Sequence, residues 1–81
     1  MEWRITAIFD AVGNDGWIHR VIEQTAFVAH RGARHGAPAG RPVWHLDDGD
    51  PVELVDQERG EYRVVESGVR LRRLHESAER G

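Results

Sequence analysis

VWHLDDGDPVELVDQERGEYRVVESGVRLRRL, residues 43–74, is the stretch whose reading decides the fold. It divides into four short runs rich in β-branched and aromatic residues, with a Gly-bearing turn between each and the next. Runs of this length with this punctuation are the signature of an antiparallel meander.

The turns set which side chains face the core. Ser67-Gly68 reads as a two-residue hairpin of type I′ or II′, whose residues must accept positive φ. It would place Glu66 opposite Val69, Val64 opposite Leu71 and Tyr62 opposite Arg73. A four-residue loop at Gln57–Gly60 would turn Val52 and Leu54 away from Tyr62 and Val64. A three-residue loop, Glu58-Arg59-Gly60 with Gly60 left-handed, instead puts Leu54 opposite Val64. A slip of one residue flips every side chain, so the apolar pattern selects the three-residue loop. The same device at Asp47-Asp48-Gly49 places Trp44 opposite Val52. One face then carries Trp44, Val52, Leu54, Tyr62, Val64, Val69 and Leu71, and its reverse carries Glu53, Val55, Arg63, Val65, Arg70 and Arg72.

Upstream, Trp3 to Phe9 alternates as a first strand, with Trp3, Ile5, Ala7 and Phe9 on one side and Arg4 and Thr6 on the other. Gly13-Asn14-Asp15-Gly16 is a turn. Trp17 to Ala29 has helical spacing at Ile18, Val21, Ile22, Thr25 and Ala26, but its composition is that of a strand former. The expectation is one long or bulged strand, or two short ones meeting near Glu23–Thr25; the alternative is a helix at about 17–30 and an α+β fold. His30 to Pro42 reads as loop by its Gly, Ala and Pro content. Trp3, Trp17 and Trp44 read as core anchors. The fold expected is mostly β, a small antiparallel meander of about six strands forming a rolled sheet or open barrel over residues 1–74, with 75–81 a polar tail.

At 81 residues the chain is one domain that buries roughly 60–65% of its unfolded surface. It has no cysteine, so neither a disulfide nor a thiolate metal site staples it. No run approaches a membrane span or a signal peptide's apolar core, and the chain reads as soluble and cytoplasmic. Net charge is −3, and all 11 basic residues are Arg. With 9 Gly this is the composition of GC-rich coding, as in many high-GC bacteria, so the Arg content is weak evidence for nucleic-acid binding. A dedicated nucleic-acid domain is more often strongly basic.

Chemical motifs are sparse. His30, His35 and His45 are the metal-ligand candidates, but their spacing fits no recognised geometry and leaves no fourth ligand. Asp47-Asp48-Gly49-Asp50 begins like a calcium loop, yet Pro51 and a strand follow at once. No hydrolase, P-loop or dinucleotide fingerprint is present, nothing argues for an enzyme, and no cofactor is implied. Three functional classes follow. The first is an interaction module for a protein partner or a homodimer, working through an exposed sheet edge or the mixed face of Arg63, Arg70, Arg72, Val55 and Val65. The second is an anion- or nucleic-acid-binding β-barrel module using that face and a loop of Arg31, Arg34 and Arg41, with nucleic acid the weaker partner. The third is a small His-dependent enzyme or metal-binding protein.

Overall fold

The computed structural model describes residues 1–29 and 36–74. Among these residues, seven strands form one antiparallel sheet: β1 (Glu2–Gly13), β2 (Ile18–Val28), β3 (Ala37–Pro38), β4 (Val43–Leu46), β5 (Pro51–Asp56), β6 (Glu61–Val64) and β7 (Arg70–Arg73). Six of them close a ring of hydrogen-bonded pairs, β1–β2–β4–β5–β6–β7 and back to β1, so the sheet is roughly barrel-like. Among the described residues there is no helix, and none is long and apolar enough to cross a membrane. Within the segment 17–29, Ile18–Val28 is therefore one long strand. The α+β alternative falls because this segment pairs with β1 from Ile18 to Phe27 and with β4 from Val21 to Gln24, as its strand-forming composition favours.

The expected inner face is the inner face. Val52, Tyr62, Val64 and Leu71 are buried with Phe9, Ala11, Val21 and Leu46, and Trp44, Leu54 and Val69 pack against them. Tyr62 is the hub, with ring centroids 5.2 Å from Phe9 and 5.6 Å from Trp44. Trp44 stands opposite Val52.

Two registers differ from the expected ones. The β6–β7 turn closes between Val64 and Val69, whose backbone bond is 2.9 Å, so four residues rather than two make the loop. Tyr62 consequently opposes Leu71, and Arg63 opposes Arg70. The shift is of two residues, which leaves every side chain on its face. Between β5 and β6, Leu54 opposes Tyr62 rather than Val64, and Asp56 opposes Glu61 across a four-residue loop. The parity that such a loop alone would break is restored by a bulge between Leu54 and Asp56, where Val55 is the extra residue. Gly60 has a φ of 67°, in the left-handed region expected for it.

The N-terminal half carries further corrections. A bulge between Ile5 and Ala7 makes Thr6 an extra residue in β1. It turns Trp3 and Ile5 to the outer face, where they are 51% and 57% exposed, while Ala7, Phe9 and Ala11 face inward. Trp17 is 72% exposed in the β1–β2 turn, so neither it nor Trp3 anchors the core. The span read as loop also contains β3, whose Ala37 and Pro38 pair with Val28 and Phe27, and Ala39 N–H donates to the Ala26 carbonyl.

Candidate interaction surface

β1 is the longest strand, and β2 pairs with it along most of its length. Its other edge is covered unevenly. β7 meets only Ala11–Gly13, and Leu74 N–H reaches the Asp10 carbonyl at 2.9 Å. Among the described residues, nothing pairs with that edge from Glu2 to Phe9. An open edge of this length is a template for another strand.

The outer face beside this edge is apolar. Trp3, Ile5 and Ile8 are exposed along β1, and Ile8 stands directly opposite Ile22 on β2. Ile18, opposite Val12, extends the surface past the Asp10–Arg20 ion pair. Residues of this kind scattered singly are ordinary on a monomer; here they gather along one ribbon.

On the inner side of the same ribbon is a polar group beside a groove. Glu23, in register with Ala7 on one side and Trp44 on the other, accepts hydrogen bonds from Thr6 Oγ1 at 2.6 Å and Trp44 Nε1 at 3.2 Å. Thr6 and the buried Thr25 share a 3.0 Å hydroxyl contact. The donors are neutral, and among the described residues no cation lies within ion-pair distance of Glu23. A groove of about 850 Å³ opens beside it, lined by Trp44, Leu54, Tyr62 and Arg73, whose guanidinium carbon sits 4.1 Å from the Phe9 ring centroid.

The Arg face lies on the outside of β6 and β7. Arg63 forms an ion pair with Glu53, its Nε donating at 2.6 Å, and Arg72 stands opposite Glu61. Val55, Arg70 and Arg72 line a groove of about 320 Å³ with Val12 and Asn14, and the Asn14 side chain accepts from the Arg70 N–H at 3.1 Å. Arg63 and Val65 do not line it; Val65, 53% exposed, belongs to the β6–β7 turn.

Of the proposed anion loop, Arg31 and Arg34 lie outside the described residues, and Arg41 is exposed at the rim of the larger groove. His30 and His35 also lie outside them. His45 sits on β4 opposite Ile22, and among the described residues no group of three His, Cys, Asp or Glu side chains gathers. His19 meets Asp15 at 3.0 Å. The Trp17 backbone N–H, with His19 behind it, holds the Asp15 carboxyl below its ordinary value.

Sequence reasoning missed Trp3, Ile5 and Ile8 as a surface, and Thr6 with Glu23 as a polar centre. One signal was available: Ile8 falls on the side of β1 that a regular strand would share with Arg4 and Thr6. Apolar residues on both sides of Thr6, at an odd separation, are the mark of a bulge.

No known protein family, curated protein or solved structure matches the chain significantly.

Proposed function

We propose that the chain is a small protein-interaction module that works by adding a strand at the open edge of β1. The observation that carries this is the coincidence of two features on one ribbon. The edge from Glu2 to Phe9 has unused backbone donors and acceptors among the described residues, and Trp3, Ile5 and Ile8 expose apolar area beside it. An added strand would satisfy the first and cover the second. Main-chain bonds supply affinity in such a mode, and alternate side chains supply specificity.

The Arg face is the weaker surface for this role. Glu53 pairs with Arg63 and Glu61 stands opposite Arg72, and exposed charges of this kind contribute little energy either way.

Hydrogen exchange tests the reading. Edge-facing amides between Glu2 and Phe9 exchange quickly in dilute protein and slow when the module is associated. Trp3→Lys combined with Ile8→Lys removes that slowing without lowering the melting temperature, because both side chains are exposed. Fast exchange at this edge in every associated state would sink the proposal.

A further inference from the structure

Resting on that reading, we infer that the added strand is β1 of a second copy, giving a two-fold dimer in which β1 pairs antiparallel with itself. The Thr6 bulge is what fixes the register. Residues directly opposite in an antiparallel pair point to the same face. A regular strand matches faces with its own copy only when the paired residue numbers sum to an even number. Because Thr6 is extra, face parity changes across it, and the matching sum becomes odd.

One such register uses the whole open stretch. It pairs Glu2 with the partner's Phe9, Trp3 with the partner's Ile8 and Arg4 with the partner's Ala7, with Ile5 and Thr6 meeting their counterparts at the two-fold axis. Each of the first three pairs lies on one face. The pairing ends at Phe9, where Leu74 already binds the Asp10 carbonyl.

Charge complementarity selects the same register. On the outer face, Trp3 covers the partner's Ile8, twice by symmetry. On the inner face, Arg4 lies beside the partner's Ala7, a methyl that leaves the way open to the partner's Glu23. Three strands are about 10 Å from first to last, a span that extended Arg and Glu side chains bridge. Glu23 is oriented by Thr6 and Trp44 and has no ion-pair partner among the described residues. Glu2 lies beside the partner's Phe9, over which the partner's Arg73 guanidinium sits. The interactions exchanged are the exposed Glu2–Arg4 pair within each copy, 3.2 Å long, and the Arg4 guanidinium's place 4.4 Å from the Phe27 ring centroid; exposed ion pairs contribute little in water.

Sedimentation equilibrium of the full chain provides the test. The wild type forms a concentration-dependent dimer. Arg4→Glu sets a carboxylate against the partner's Glu23, twice by symmetry, and raises the dissociation constant at least about tenfold. Glu23→Arg alone does the same by opposing two cations. Mixing the two variants restores a one-to-one dimer, since both contacts then join opposite charges. Should Glu23→Arg fail to fold, as judged by its amide NMR spectrum, Trp3→Lys serves as the second variant and weakens the dimer to a similar degree. A wild type that is monomeric at every concentration overturns the second copy as occupant, and slowed exchange at the edge on capture of another protein would then leave strand addition standing. A dimer indifferent to Arg4→Glu and Trp3→Lys but lost with Arg70→Glu overturns the register and moves the interface to the other face.

Discussion

Thr6 Oγ1 donates a 2.6 Å hydrogen bond to Glu23 Oε1 at the point where β1 carries one residue more than β2. The bulge brings the hydroxyl round to the inner side, so a local irregularity of the backbone supplies the donor that orients a carboxylate beside the larger groove. Replacing the hydroxyl by a methyl, Thr6→Val, keeps the shape and removes the donor. The expected cost is about 0.5–1.5 kcal/mol in urea unfolding. A loss below this range would mean that water replaces the hydroxyl without penalty.

The core makes a larger demand. Leu71 is 1% exposed and stands opposite Tyr62, the residue that joins Phe9 to Trp44. Leu71→Ala removes methyl groups and leaves a cavity, at a cost of about 2–5 kcal/mol. Val65→Ala, on an exposed turn, should stay within about 0.5 kcal/mol of wild type. Equal melting temperatures for the two variants would contradict the assignment of inner and outer faces.

Gly60 combines two constraints. Its φ of 67° strains any residue with a Cβ, and a Cβ built there would meet the Arg73 Cβ at 3.2 Å. Gly49 shares the positive φ but has open space around it. Gly60→Ala should therefore lower the melting temperature more than Gly49→Ala. The conformational part of each loss is about 1–2 kcal/mol, and the contact with Arg73 adds to the first. The reverse order would show that β7 yields at Arg73 freely.

Asp15 gives the pH dependence its sign. Its carboxyl is held below its ordinary value of 3.8, first by the Trp17 N–H and then by the His19 ring. A carboxyl depressed by folding contributes stability that is present above 3.8 and is lost as the pH falls through its folded value. The carboxyl carbon resonance of Asp15 should therefore titrate with a midpoint below 3.8. Asp15→Asn should make the acid limb of the stability curve shallower in that window. A midpoint at or above the ordinary value would refute the contact with Trp17 in solution.

Faces were more legible in the sequence than registers. Placing Leu71 opposite Val64 instead of Tyr62 is an error of two residues, and a pleated strand repeats every two, so Leu71 still points inward. The β5–β6 connection shows the same logic. The apolar pattern demanded that Val52 and Leu54 join Tyr62, and an extra residue in β5 met the demand where a shorter loop was expected. Bulges were the least legible element, because a single inserted residue has no composition of its own and only the odd separation of Ile5 and Ile8 marked the one at Thr6. Thr6 hid the outward turn of Trp3 and Ile5, and with it the surface on which the proposed function rests. The pairing of Thr6 with Glu23 was equally hidden, since it joins positions whose proximity depends on the β1–β2 register.

The Arg face yields the last prediction, and it runs toward stability. Arg63 stands directly opposite Arg70 on the outside of β6 and β7, and like charges so placed are unfavourable. Glu53 relieves Arg63 from the β5 side, its carboxylate lying against the guanidinium. Arg70 receives no such partner among the described residues. Arg70→Glu turns the opposed pair into an attractive one and should raise stability by about 0.2–1 kcal/mol at low salt. Glu53→Gln should do the reverse, leaving Arg63 to face Arg70 without compensation. Both effects should shrink as ionic strength rises, because the side chains are exposed and salt screens them. The two variants are best compared by chemical unfolding in urea, which adds no charge. A gain for Arg70→Glu and a loss for Glu53→Gln would make this face a balance of local charges. Destabilisation by Arg70→Glu would instead mean that the guanidinium holds a contact worth more than the repulsion, and the groove it lines with Val12 and Val55 would be the place to find it.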